Sequence, residues 1–247
     1  MGLFDLPAPL FASVDDALSG FAPAPLRLVL WGLIAAAFSM GAYFLLSPQR
    51  RIARAKADAL EARQALDAYD GEFAGAWPLI RDVLKSALRQ LGLVTWPAIV
   101  SSLPVLALLA WMSTTYGHGF PDPGAAVEIR TVPNGLEARL ETMVAPAAAP
   151  SEPHREIVVI DPSGEVLHRL PWQAPVSTIH KREWWNALLG NPAGYLPEGG
   201  PLERIDLDIP AKEYLPIGPA WLKAWYVLFF GVLLAASLAI KVSARIE

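Results

Sequence analysis

Three stretches without a charged residue, 28–46, 91–116 and 224–240, set the limits on what this chain of 247 residues can fold into. A helix needs about 20 apolar residues to cross a hydrocarbon core about 30 Å thick, and each stretch is that long or nearly so. Between the first two lies a charged block, 48–90, whose apolar residues recur at heptad spacing. The expected fold is an α-helical membrane protein with three transmembrane helices and a cytosolic antiparallel coiled-coil hairpin. A small β-rich extracytoplasmic domain completes it. The expected parts are an N-terminal segment (1–25), spans at 26–47, 91–114 and 216–240, the hairpin (48–90), the extracytoplasmic domain (115–215) and a tail (241–247).

Composition and charge agree with this division. The chain is 53% hydrophobic with mean hydropathy +0.34, higher than a soluble domain with a polar surface usually carries. The net charge of −4 conceals an uneven spread. Residues 48–90 hold eight Lys/Arg against six Asp/Glu, whereas 117–213 hold eight against fourteen. Basic residues near span ends set orientation. Arg50, Arg51, Arg54 and Lys56 follow the first span, Arg81, Lys85 and Arg89 precede the second, and Lys241 and Arg245 follow the third. Only Arg27 and Lys223 edge the other side. The predicted topology is therefore multi-pass in a bacterial inner membrane, with the N-terminus outside and the hairpin and C-terminus inside. Trp111, Tyr116, Tyr214, Trp221 and Trp225 gather at the outer span ends, where an aromatic belt belongs, and Trp111, Trp221 and Trp225 are the predicted interfacial anchors. The absence of cysteine excludes disulfides, thiolate metal sites and cysteine nucleophiles.

The first 25 residues lack the basic start of a signal peptide. Leu3, Phe4, Leu10, Phe11, Val14, Leu18 and Phe21 fall near helical spacing, which fits an amphipathic helix on the outer leaflet. An apolar leader interrupted at Pro7 and Pro9 is the other reading. In the hairpin, Ile52, Ala55, Ala59, Ala62, Leu66 and Tyr69 step by three and four, a heptad seam. Asp70-Gly71 suits a turn. Phe73, Trp77, Ile80, Leu84, Ala87 and Leu91 make the facing seam, with regular helix expected from Pro78. The alanines of the first arm would admit the larger residues of the second. The second span holds Pro97 and Pro104, and its Ser101 and Ser102 bond either to helix backbone or line a polar groove.

In the outer domain, 127–132 and 136–140 alternate like strands across Pro133-Asn134-Gly135. Segments 156–160 and 165–170 flank the hairpin turn Asp161-Pro162-Ser163-Gly164. A Pro/Ala-rich loop (145–153), a short helix (182–189) and a last strand (205–209) complete it.

No catalytic fingerprint, phosphate-binding loop or dinucleotide motif occurs, so the chain reads as non-enzymatic and without a cofactor. Spans free of ionisable residues argue against transport. His118, His154, His168 and His180 follow no ligand spacing, and no metal is expected. Trp172, Trp184 and Trp185 are either core or a face shown to a partner. Arg81, Lys85 and Arg89 form one basic stripe. With Arg50, Arg51 and Arg54 it would touch anionic lipid, or ribosomal RNA and a nascent chain.

This order of elements resembles the YidC/Oxa insertase superfamily in its minimal three-span branch, which includes archaeal YidC-like proteins and the insertase subunit of the ER membrane complex. The resemblance runs over 27–111 and resumes at 215–226. It rests on the run LSPQRR at 46–51 leading into the hairpin and on LPIGPAWLKAWY before the last span. It implies a protein that assists insertion, folding or assembly of other membrane proteins through a lipid-open groove. Ser39, Thr95, Ser101 and Ser102 are the candidate groove lining. The implied partners are client or host membrane proteins, anionic lipids and a ribosome, with no DNA. Two alternatives stand beside it: a non-catalytic accessory subunit of one inner-membrane complex, and a membrane-anchored periplasmic binding or sensory domain.

Overall fold

The computed structural model describes residues 2–122, 125–143 and 154–244; the Pro/Ala-rich loop and Arg245 lie outside them. The chain is mostly helical and separates into two compact units. One comprises Met1–Pro25 and Ala107–Val227, the other Leu26–Leu106 and Leu228–Glu247. Among the described residues, three helices are long and apolar enough to cross a membrane: α2 (Ala24–Leu46), α4 (Phe73–Gly117) and α6 (Trp225–Ser243).

The second unit is built from helices. On α2, Leu28, Trp31, Gly32, Ala35 and Ala36 are buried at spacings that select one face. Gly32 lets α6 approach: a Cβ there would stand 2.9 Å from Val232 Cγ1 and 3.2 Å from the Phe229 carbonyl oxygen. Small residues at such a crossing are how apolar helices pack closely. The opposite faces expose Leu33, Ile34, Phe38, Leu234 and Leu238. A helix apolar on all sides with large side chains exposed suits lipid better than water.

After Ser47-Pro48, α3 (Gln49–Asp67) begins, and a five-residue connection leads to α4. The two run antiparallel, since Arg89 of α4 pairs with Asp58 of α3 at 3.3 Å. The α3 seam follows the expected heptad: Ile52 and Ala55 are buried, Ala59, Ala62 and Leu66 half-buried. Tyr69 departs from it and is exposed.

The α4 side differs from the expectation in two ways. Helix begins at Phe73 and continues unbroken to Gly117, through Pro78, Pro97 and Pro104. Pro78 falls in the second turn, where its missing N–H removes one bond near a frayed end. The expected second arm and second span are thus one helix of 45 residues. Its seam is also rotated: Ala76, Ile80, Val83, Ala87 and Gln90 are half-buried, while Phe73, Trp77, Leu84 and Leu91 are 57–76% exposed. Ala76, Val83 and Ala87 join Ile80 on the half-buried side, and Phe73, Trp77, Leu84 and Leu91 turn away.

The first unit contains two three-stranded antiparallel sheets. One has the order β1 (Ile129–Val132), β6 (Arg204–Leu207), β5 (Thr178–His180); the other has the order β2 (Glu137–Met143), β3 (His154–Ile160), β4 (Val166–Pro171). Their core gathers Ile157, Val159, Trp172, Ile179, Leu202, Ile205 and Leu207. Phe120 meets Trp172 edge to face at 5.2 Å. The β3–β4 turn forms as expected. Asp161 Oδ1 accepts from the backbone N–H groups of Ser163 (2.8 Å) and Glu165 (2.9 Å), and Gly164 takes φ +90°. The bond from the Ser163 hydroxyl, with these backbone donors, holds the Asp161 carboxyl below its usual range. The expected helix at 182–189 is a single 3₁₀ turn, Trp184–Ala187, fixed by buried Asn186. Glu183 N–H donates to Asn186 Oδ1 (2.7 Å), and Asn186 Nδ2 donates to the Leu189 carbonyl (3.0 Å). The segment before the third span forms a short helix, α5 (Ala220–Lys223), and α6 starts only after an extended Ala224.

The N-terminal segment belongs to the first unit. A 3₁₀ turn, Leu3–Asp5, precedes α1 (Ala8–Ser19), and Pro7 and Pro9 start this helix instead of interrupting it.

Candidate functional site

The predicted groove residues do not form one cluster. On α4, Thr95 is exposed and Ser101 is buried, so the two look in different directions. Each α4 hydroxyl donates back to its own helix: Thr95 to the Leu91 carbonyl (2.8 Å), Ser101 to Ala98 (3.1 Å) and Ser102 to Ile99 (2.8 Å). Their donors are spent, and only their oxygens remain to accept. Ser39 is half-buried, one turn beyond Ala35 and Ala36 on α2. A polar feature not read from the sequence lies alongside. Pro97 and Pro104 offer no N–H, so the carbonyls of Leu93 and Val100 lose their ordinary helix donors. These carbonyls are seven residues apart and share one side of α4 with buried Pro97 and Ser101. The spacing of the two prolines was the available signal.

The predicted lipid or ribosome contacts, Arg50, Arg51, Arg54, Arg81, Lys85 and Arg89, are all exposed on the helix pair. The Arg89–Asp58 pair is more than half exposed on both sides and contributes at most about 1 kcal/mol. Between the arms runs an open groove of about 560 Å³ lined by Lys56, Arg63, Val83, Ala87 and Gln90. Small side chains on both arms leave this space.

In the first unit the C-terminal end of α4 is fastened from three directions. Buried Tyr116 donates its hydroxyl to buried Asp15 of α1. Tyr214 donates to the Tyr116 carbonyl (2.9 Å), and Lys212 Nζ donates to the Thr115 carbonyl (2.8 Å). The backbone N–H of Lys212 adds a bond to the Gly117 carbonyl (3.1 Å). The last turn of a helix leaves carbonyls without partners and carries partial negative charge, so an ammonium suits it. Phe11, Trp111, Tyr116 and Tyr214 then form a ring-to-ring chain with centroids 5.8–5.9 Å apart. Of the predicted anchors, Trp111 sits within this chain, Trp225 is half-buried and Trp221 is 63% exposed. Burial, then the charge of Lys212, lowers the pKa of His118 beside this cap.

The N-terminal segment is docked on the β-rich domain. Phe4 N–H donates to the Leu188 carbonyl (2.9 Å), and Asp5 Oδ2 accepts from the N–H groups of Gly2 (2.7 Å) and Gly190 (2.9 Å). A Cβ on Gly2 would lie 2.5 Å from the Leu188 backbone, so only glycine fits. The other side of this segment exposes Leu3, Leu6, Leu10 and Val14, spaced by three and four. These long-range bonds have no signature in local sequence.

A cleft of about 730 Å³ opens between α1, the end of α4 and the loops around β5. Pro9, Trp111, Thr178, His180 and Trp185 line it, and no Lys or Arg does. The His180 ring lies 5.0 Å from Trp185 and contacts the Lys181 carbonyl through Nδ1. Its one carboxylate, Asp5, is already engaged. The cleft is suited to an uncharged, largely apolar group. Trp184, by contrast, is 83% exposed. Among the described residues no group of three or more His, Asp or Glu side chains is placed to hold a metal ion. Comparison with protein-family models, with curated proteins and with solved structures finds no match.

Proposed function

We propose that this chain is a three-span YidC/Oxa-like protein of a bacterial inner membrane that assists insertion or assembly of other membrane proteins. The observation that carries the reading is the second unit. There α2 and α6 approach closely at Gly32, one side of α4 carries buried Ser101 and two proline-freed carbonyls, and a basic helix pair joins α2 to α4. Polar groups on a helix face that is otherwise apolar would lower the cost, several kcal/mol for each unsatisfied group, of drawing a polar client segment across. The work is physical: no bond is made or broken. The helix pair, read as a coiled-coil hairpin in the cytosol, would receive the client, and the outer domain would hold the translocated part.

The test replaces Ser39, Thr95, Ser101 and Ser102 together by alanine and follows insertion of a short membrane protein into vesicles holding the purified chain. Slower insertion at equal reconstitution supports the groove; an unchanged rate removes it.

A second reading, an accessory subunit of one membrane complex, is favoured by a different observation. The α4 hydroxyls spend their donors on their own helix, which suits a scaffold more than a polar channel. A C-terminal tag at native expression separates the two. One stoichiometric complex would mean scaffold, and many substoichiometric small membrane proteins would mean insertase.

A further inference from the structure

We propose that the outward face of the cytosolic half of α4 is a docking surface for an acidic amphipathic helix of a partner protein. The inference rests on the spanning reading above and gives the receiving surface a chemistry. Phe73, Trp77, Leu84, Leu88 and Leu91 are 57–76% exposed, at steps of four, seven, four and three, so they form one continuous row on α4. Exposed Arg81 and Lys85 run beside that row. Five large apolar side chains in line on a helix are a surface that something covers.

Charge and length select the occupant. A second copy of the chain would bring Arg81 and Lys85 against their own counterparts, a like-charge contact. A bilayer surface would require this half of α4 to lie among the headgroups. The helix instead continues without interruption into the apolar stretch from Leu91 onward. At 1.5 Å per residue, Leu84 stands about 10 Å and Trp77 about 21 Å beyond Leu91 along the axis. A span beginning at Leu91 fills the hydrocarbon by itself, which leaves the row in water. A partner helix with apolar anchors at i, i+4 and i+7, flanked by Asp or Glu, satisfies both rows at once.

The chain has no cysteine, so a single introduced thiol can be labelled uniquely. The experiment places an environment-sensitive fluorophore on Leu84→Cys in the full-length protein, held in nanodiscs. The probe is a synthetic amphipathic peptide with a leucine row flanked by glutamates; its control carries lysines instead. The proposal requires a saturable blue shift with the glutamate peptide and much weaker binding of the lysine peptide. Arg81→Glu with Lys85→Glu, both at exposed positions, should weaken the glutamate peptide about tenfold. Equal binding of the two peptides overturns it. A blue shift on adding anionic lipid alone places the row in the bilayer, and one that grows with protein density assigns it to a second copy; either overturns it. The same fluorophore on Leu234→Cys, 68% exposed on α6, reads the spanning assumption separately. Quenching there by lipid-borne quenchers supports the span, and water exposure rejects that reading and this one together.

Discussion

The β-rich domain and the helix pair differ in where their large apolar residues lie. In the β-rich domain, Trp172, Ile157, Ile179 and Ile205 are at most 2% exposed, and charged residues such as Arg139 and Glu141 face outward. On the helix pair, Ile52 and Ile80 keep to the seam with the alanines and Val83, while Trp77, Leu84 and Leu88 look out. A domain whose small sheets are held by packing, without disulfides, needs its apolar area inside. The helix pair is instead anchored by chain continuity to α2 and α4, so its packing need not carry the fold. Its large side chains are left for use elsewhere.

Substitutions graded by size of effect test this contrast. Trp172→Ala should be the most damaging, destabilising the β-rich domain by about 3–5 kcal/mol, read as urea-dependent protease sensitivity of the full chain in detergent. A loss under 1 kcal/mol would mean the core is not closed around it. Gly32→Val should separate α2 from α6, at about 1–3 kcal/mol, because its side chain meets Val232 and the Phe229 carbonyl. Unchanged helix proximity, measured by cross-linking across that pair, would refute the close approach. Tyr116→Phe leaves the buried Asp15 carboxylate without the hydroxyl it accepts from, and should cost about 1–3 kcal/mol. Released α1 would show as proteolysis near Gly20.

Acid should act more gently. His118 has a lowered pKa in the fold, so the fold favours its neutral form. Its contribution is complete above the unfolded value of about 6.5 and is lost as pH falls through the folded value. Stability of the first unit should therefore decline on acidification below about pH 6.5, and Lys212→Met should flatten that decline. A Lys212→Met profile as steep as the parent's would leave burial as the sole cause. The smallest effect belongs to Trp77→Ala, within about 0.5 kcal/mol of the parent; a larger loss would place this residue in the seam after all.

The three long apolar helices were legible because absence of charge over 17 to 26 residues is a one-dimensional signal, needing no knowledge of contacts. The Asp161–Gly164 turn was legible because its bonds are local. The α3 seam was legible for a related reason: Ile52, Ala55, Ala59, Ala62 and Leu66 are a single apolar stripe among charges. On α4, apolar residues cover more than half the circumference between 73 and 91, so two heptad frames fit equally well. The exposures select the frame of Ala76, Ile80, Val83, Ala87 and Gln90. β5 spans three residues, too few for alternation to register. The Asp15–Tyr116 bond joins residues 101 positions apart, and each alone reads as an ordinary surface or interfacial residue.

One measurement tests the central claim of a three-span chain with the helix pair and the outer domain on opposite sides. Single cysteines are introduced at Asp70, in the exposed loop between α3 and α4, and at exposed Glu198 in the outer domain, in a chain that otherwise has none. A membrane-impermeant maleimide is then applied to cells with a permeabilised outer membrane and an intact inner one. The account predicts that Glu198→Cys is labelled and Asp70→Cys only after the inner membrane is opened. Labelling of both, or of neither, before that step would contradict it.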